Sequence, residues 1–460
     1  MLSKRENSQV KMHYITIEDL VPSDHFLRKL DVAVDFSFIY DEVRDLYCEN
    51  NGRPSIDPVV LVKYLLIGYL FGIESERQIE HEIQVNMAYR WFLGLDLDDS
   101  VPDHSTISQN RKRRFNGQNL YRRLFERILE DCIAKGLVGG KLVLTDSTHV
   151  KANASRDSEY KVWVAKEATS YTERLDRYEA LERERLEGLG KIQAQEKRPN
   201  RKKTPSKVEK TVSATDPDAG LLVRPEKPRG MHYLDHQSID AKNGIIVDVA
   251  VTSGNTHDST PYLDRMEYIR DEIGLKFEKA GDDSAYDSSI IHKEMSDNGT
   301  QLLLPPSNRK PNEKTEFKRN DFTYDQTEDV FVCPFGMKLP LRQLQRSDSG
   351  IYREYRASRQ DCNFCPYRSQ CLSASMAERS RRIVVNIFED AARENRARVG
   401  TDEYKEAMNL RRIWCEGTFA LQKARHNLRE MFRRGIEAAE DHCLLSATAV
   451  NMKRMVRCLG

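Results

Sequence analysis

The 460-residue chain has almost no net charge: 73 Lys and Arg stand against 72 Asp and Glu, a formal balance of +1. Bulk charge therefore gives no prior for a polyanionic partner, and any nucleic-acid surface must come from local clustering. A long apolar run is missing too. The longest, residues 59–73, is interrupted by Lys63 and is shorter than the ~20 residues a membrane helix needs. A buried core helix is its plain reading, and no membrane partner is expected. The stretch MLSKRENSQVKMHYITIEDLV has no apolar h-region, so no secretory signal is expected. Nine cysteines in such a chain point to a reducing cytosol, not to a disulfide framework. Gly-x-Ser-x-Gly, P-loop and His-Glu-x-x-His motifs are absent, which leaves serine hydrolase, NTPase and zincin readings without support. No internal repeat appears at a solenoid period. What is present is enough to seed real cores: 16 Phe, 19 Tyr and 3 Trp. The length suits two to four domains, or one large domain with an insertion.

Residues 1–138 read as a helical domain. Asn51-Gly52-Arg53-Pro54 is a turn, and Asp57-Pro58 opens the apolar helix with Pro at its first position. Ser75 and Gln78 form a capping box for a second helix, and residues 86–93 read as a third. Pro102-Asp103-His104-Ser105 breaks and caps. The next helix, 106–115, carries Arg111, Lys112, Arg113 and Arg114, which can enter a DNA groove or simply form a solvated basic face. Leu120, Leu124 and Ile128 follow at helical spacing, ended by Gly136.

After Gly139-Gly140 the pattern changes to strands. Residues 141–148 (KLVLTDST) form a short strand bearing Asp146, and 231–240 and 245–253 form a hairpin about Lys242-Asn243-Gly244. Helix 259–272, a poor strand at 276–283, helix 287–297 and an apolar run at 301–304 complete an α/β domain with a mixed sheet over 139–305 and 401–460. Two insertions interrupt it. Residues 156–230 hold a charged helix (171–187) and a basic linker (191–210); residues 306–400 are polar and hold four cysteines. Helix resumes from Asp402, runs through 409–431, and closes near 443–457.

Three constellations can carry chemistry. Asp146 and Asp283 lie at strand ends and Glu416 on a late helix, all far apart in sequence. Such acids can converge on two divalent ions ~3.5–4 Å apart at a phosphodiester, and Mg²⁺ suits oxygen ligands. With 72 acidic residues, ordinary surface or capping carboxylates are the competing reading. The second constellation is local. Arg412, Glu416, Phe419 and Lys423 share one face of a regular α-helix, as a salt-bridge stripe or as a metal ligand flanked by phosphate clamps. Seven cations (Arg411, Arg412, Lys423, Arg425, Arg429, Arg433, Arg434) against Glu416 and Glu430 make this stretch basic, which favours a phosphate-facing surface. The third is Cys362-x2-Cys365-x5-Cys371 with Cys333 upstream: one tetrahedral Zn²⁺, an iron–sulfur cluster, or buried free thiols. The remaining cysteines (Cys48, Cys132, Cys415, Cys443, Cys458) read as core. His149 and His257 stand near the acids, either approaching the metals or acting as structural hydrogen-bonders.

Here the chain resembles a known family. Arg412-x3-Glu416-x6-Lys423 is similar to the Y-x2-R-x3-E-x6-K motif of bacterial insertion-sequence DDE transposases, LTDST to their first Asp block, and DDSAYDS to their D-x-G-Y block, which selects Asp283 over Asp282. GRPSIDPVVLVKYLLIGYLFGIESERQIEHEI and VPDHSTISQNRKRR resemble the helical domain at the front of these proteins, so the likeness spans roughly residues 45–455. It implies an RNase H-like catalytic fold and a DDE triad of Asp146, Asp283 and Glu416 holding Mg²⁺ or Mn²⁺. Arg412 and Lys423 become DNA contacts, with Arg425 and the 111–114 run on the same partner. Double-stranded DNA as element ends and target, a homodimer on DNA, and a cytoplasmic, nucleoid-associated location follow. The implied reaction is attack of water at the element end, then of the freed 3′-OH on target DNA. Rival readings are an RNase H-like nuclease without strand transfer and a degenerate DNA-binding copy. Asn409 stands where the motif has Tyr and Ala285 where Gly is usual, but neither is an implied metal ligand.

Overall fold

The computed structural model describes residues 14–48, 55–155, 157–165, 169–192, 207–224, 227–307, 315–347, 350–372 and 379–460. The expected turn at 51–54 and most of the basic linker lie outside them. The chain is a mixed α/β protein with several sheets.

Helices occupy the first part. Helix Pro58–Phe71 begins where the Asp57 carboxylate accepts from Val59 N at 2.7 Å, with Pro58 at its first position. It is buried on nearly every side, which is why its sequence shows no polar stripe. No single helix among the described residues is long and apolar enough to cross a membrane. Ser75 does stand at the N-cap of helix Glu76–Val85, but its side chain makes no cap hydrogen bond, so the expected capping box is not formed. Asn86 and Asp103 do cap the helices Met87–Leu93 and His104–Asn110. Helix Leu120–Ala134 buries Leu120, Leu124 and Ile128.

The chain then forms β1 (Leu142–Lys151) and a ribbon of β2 (Glu159–Ala165) with β3 (Lys207–Ser213), helix Ser170–Gly188 lying between them in sequence. There follow β4 (Gly220–Arg224), β5 (Lys227–Asp240), β6 (Ile246–Ser253), β7 (Lys279–Gly281) and β8 (Gln301–Leu303). Both β4 and β6 pair antiparallel with β5; β5 pairs antiparallel with β1; β1, β7 and β8 run parallel to one another. Antiparallel pairing sets Asp146 opposite Gln237 and Thr148 opposite Asp235. Residues 207–210, expected as linker, belong to β3.

Residues 306–400 contain a five-stranded antiparallel sheet that the sequence did not announce: β9 (Thr323–Asp325), β10 (Val330–Val332), β11 (Lys338–Ser347), β12 (Gly350–Arg356) and β13 (Arg382–Asn386), ordered β13-β12-β11-β10-β9. Its signal is faint because the strands are short or polar. In β11 the alternation of Leu339 and Leu341 shifts register before Leu344, between Leu341 and Gln343.

The late helical stretch also departs from expectation. Helix Asp402–Arg411 passes into a π-helical turn, Arg412–Glu416, and then helix Gly417–Arg425, which ends well before residue 431. Asn427, at φ 62, breaks the helix. Its side-chain amide donates to Gly68 O (3.2 Å) and Ile73 O (2.9 Å), satisfying carbonyls at the end of helix Pro58–Phe71. The closing helix, Ile436–Leu459, packs on helices Leu120–Ala134 and Pro58–Phe71 and on β6, so helices from both ends of the chain share one core. Asn451 from this helix accepts from Ile246 N and donates to Ile246 O, both at 2.8 Å, pairing backbone groups at the start of β6.

Candidate active site

Three elements converge on one point. Asp146 stands in the middle of β1, Asp283 lies two residues past the end of β7, and Glu416 ends the π-turn. Because β1 and β7 are parallel neighbours, the chain leaving β7 stays beside the later half of β1. The Arg411 guanidinium touches all three acids: Nη2 lies 2.9 Å from Asp146 Oδ2 and 3.8 Å from Asp283 Oδ2, and Nη1 lies 3.4 Å from Glu416 Oε1. The carboxylates are thus gathered within the span of one side chain.

Their surroundings differ. Burial pushes the Asp146 carboxyl up to about 6, against the downward pull of Arg411. Asp146 Oδ1 accepts from Ser147 N (2.8 Å), and Asp283 Oδ1 accepts from Ala285 N (2.7 Å), capping a short turn. The Glu416 side chain is 56% exposed. Asp282, the rival of Asp283, points elsewhere: it is fully buried, accepts from the Tyr262 hydroxyl at 2.7 Å, and is raised by burial to about 7. Oxygen donors of this kind suit a hard divalent cation better than a soft one.

Arg411 was missed as a partner because α-helical spacing puts it roughly 140° from Glu416. A π-turn brings residues i and i+5 onto one face, and π-turns concentrate at functional sites. The same turn disturbs the expected stripe. Phe419 is buried in the core, while Arg412 is exposed and bonds Asn409 Oδ1 at 3.1 Å. The Lys423 ammonium donates to Thr148 Oγ1 (2.6 Å) and His149 O (3.1 Å), docking its helix on β1. Arg425 is exposed. His149 Nε2 pairs with Gly254 O (3.1 Å) and His257 Nδ1 with Ser259 Oγ (2.8 Å), the structural alternative for both.

The basic run at 111–114 divides. Arg111 is largely buried and paired with Glu76 at 2.5 Å. Arg114 bonds Asn110 Oδ1 (2.9 Å) and lies over the Tyr47 ring at 4.1 Å. Lys112 and Arg113 are exposed. Lys112 lines a cleft of about 870 Å³ together with Arg77, Arg433, Arg434 and Asn153.

Cys333, at the β10–β11 turn, and Cys362, Cys365 and Cys371 line one small cavity of about 40 Å³ and are all half-buried. No three of their sulfurs lie within 4.8 Å of one another. Among the described residues, the one set of potential ligands at that spacing is Glu80, Asp103 and His104. That set is accounted for by helix capping: Glu80 Oε2 accepts from His104 N at 2.9 Å, and Asp103 caps Ser105 N. Of the single cysteines expected in the core, Cys132, Cys415 and Cys443 are buried, whereas Cys48 and Cys458 are exposed.

A family model described as a transposase domain (DUF772) matches residues 15–113, and one described as a transposase DDE domain matches residues 332–456. The second contains Glu416; Asp146 and Asp283 lie between the two matched segments. No curated protein matches. Among solved structures, a cryo-EM structure of the piggyBac transposase synaptic complex with hairpin DNA is similar at a TM-score of 0.35 and 8% identity, covering 94% of this chain and 79% of that one.

Proposed function

The chain is a DNA transposase of the insertion-sequence DDE type, with a matched transposase domain at either end, and on that premise we propose that Asp146, Asp283 and Glu416 are its metal-binding catalytic triad. The observation that carries this reading is the convergence of all three acids on one guanidinium from three separate elements. Mg²⁺ or Mn²⁺ held there would supply charge neutralisation at the phosphate and an activated nucleophile. The chain's own residues do the rest. β1 and the end of β7 hold the two aspartates as neighbours, the π-turn sets Glu416 against them, and Lys423 ties that helix to β1. Exposed Arg412 and Arg425, with Lys112, Arg113 and Arg434, offer phosphate contacts that position DNA without reading its sequence.

We further propose the RNase H-like fold for residues 139–305 and 401–460. The strand order β6-β5-β1-β7-β8, with β5 antiparallel and the last three strands parallel, supports it. On this layout, residues 1–138 form the helical DNA-binding part, and 156–230 and 306–400 are insertions. In the second insertion, one structural Zn²⁺ would draw the four cysteines together; the shared cavity supports this. Purified protein should then hold about one Zn per chain, lost in Cys365→Ser. Metal-free protein of normal stability would end that idea.

The test of function is cleavage of DNA carrying the element ends, followed by joining of the 3′-OH ends to a plasmid. Asp146→Asn should lose cleavage by orders of magnitude while still binding ends. Near wild-type cleavage by Asp146→Asn would overturn the triad. Cleavage without joining would favour a nuclease, and end binding without any nicking a degenerate copy. Two ends cut together call for a dimer on DNA, measurable as the mass of the end-bound complex.

A further inference from the structure

The acidic centre already contains a cation of its own. Arg411 is mostly buried, with 14% of its side chain exposed, and its guanidinium lies among Asp146, Asp283 and Glu416. No motif singled it out. It is the residue that the π-turn, not the α-helical period, places against Glu416.

Its hold on the site is uneven. The ion pair with Asp146 is the closest, at 2.9 Å; Glu416 accepts a long hydrogen bond at 3.4 Å, and Asp283 stands off at 3.8 Å. A planar fork satisfies one carboxylate well but cannot point at three converging ones, whereas an ion with an octahedral shell can. Arg411 Nε is buried without a hydrogen-bond partner, a cost the side chain carries while it stays in place. A divalent ion inserted among the same carboxylates would stand within a few ångströms of the guanidinium, where like charges repel strongly. Both cannot keep these positions.

We propose that Arg411 is the resident counter-ion of the acidic centre: it holds the three carboxylates together while no divalent ion is bound and is displaced when one binds. This rests on the reading of Asp146, Asp283 and Glu416 as metal ligands.

The experiment is Mn²⁺ titration of the full-length chain without DNA, following free Mn²⁺ by electron paramagnetic resonance, for wild type, Arg411→Ala, Arg411→Gln and Asp146→Asn. Removing the competing cation should tighten Mn²⁺ binding about tenfold in Arg411→Ala and Arg411→Gln, the gain expected from losing one charged hydrogen bond to the site. In chelator both variants should melt below wild type, and Mn²⁺ should raise their melting temperatures more than it raises that of wild type. Should Arg411→Ala misfold, Arg411→Gln, which keeps the aliphatic stem and a neutral hydrogen-bond donor, gives the same reading. Unchanged or weaker Mn²⁺ binding in the folded variant would overturn the proposal and make Arg411 a fixed strut. If instead wild type and Asp146→Asn bind Mn²⁺ alike, the metal-ligand reading itself fails, and this inference with it.

Discussion

Adjacent aspartates 282 and 283 differ because a chain leaving a strand turns consecutive side chains to opposite sides. Asp283 faces Arg411, while Asp282 faces the core and the Tyr262 hydroxyl. Burial already lifts Asp282 to about 7, so a neutral group is tolerated there near physiological pH. Asp282→Asn should therefore cleave DNA within a few-fold of wild type, whereas Asp283→Asn should lose orders of magnitude. Asp282→Ala should cleave if folded but melt lower, since an unpartnered buried hydroxyl costs about 1–3 kcal/mol. Equal cleavage defects in Asp282→Asn and Asp283→Asn would contradict this division of labour. Lys423 teaches a related lesson. Its ammonium is engaged with β1, so Lys423→Ala should loosen the Glu416 helix, measurable as a lower melting temperature together with weaker cleavage.

At the scale of elements, the π-turn is held by what packs on it. Trp414, inside the turn, lies against Gly244 in the β5–β6 turn, and Arg454 donates to Gly244 O. Gly244 has φ +73, and a Cβ there would come within 2.2 Å of the Trp414 ring. Gly244→Ala must therefore push the ring aside as well as strain the backbone. The expected result is a strong loss of cleavage from a residue outside the acidic centre, with Mn²⁺ affinity shifted because Glu416 and Arg411 flank the displaced turn. Full activity in Gly244→Ala would show that the turn tolerates movement. The helix 170–188 acts at the same scale. Arg174 reaches Asp264, Glu267 and Glu294, and Glu182 pairs with Arg353, so this helix braces both the helices at 262–271 and 289–297 and strand β12.

Across the whole molecule, helix Pro58–Phe71 is locked to the C-terminal part of the chain by two buried histidines. His442 accepts from the Tyr69 hydroxyl at Nδ1 (2.8 Å) and donates from Nε2 to Asn427 O (2.8 Å), and His426 donates to Tyr69 O (2.7 Å). Burial lowers both to about 4. The folded chain thus keeps them neutral, while the unfolded chain protonates them below about 6.5. Their contribution to stability is complete above that pH and is lost as pH falls toward 4. Buried Asp235, Asp282 and Asp441, raised to about 7, 7 and 6, act with the opposite sign, so the readout must be a difference. The stability gap between wild type and His442→Gln should be largest at pH 7.5 and shrink toward pH 4.5, by on the order of 2–3 kcal/mol. A gap independent of pH would mean that the fold does not perturb His442, and a gap that widened toward acid would mean that it is protonated in the folded state.

Local signals in the sequence carried a great deal: the capped helices Pro58–Phe71 and Met87–Leu93, the apolar stripe of Leu120, Leu124 and Ile128, the β5–β6 hairpin, and Asp283 just past a strand, although Asp146, expected near a strand end, stands in the middle of β1. These depend on residues within a turn or two of one another, and periodicity and capping report such neighbours directly. The sheet over 323–386 left little trace, because strands of three residues and a register shift give almost no alternation to read. What only the tertiary structure decided was the company each candidate keeps. Arg111 is spent on Glu76, Lys423 on β1, and the helix expected to reach residue 431 stops where Asn427 turns to cap another. Above all, Arg411 meets Glu416 because a π-turn, with Trp414 against Gly244, stands where the α-helical period was expected. Pairings across hundreds of residues are set by packing, whose energy no local pattern encodes.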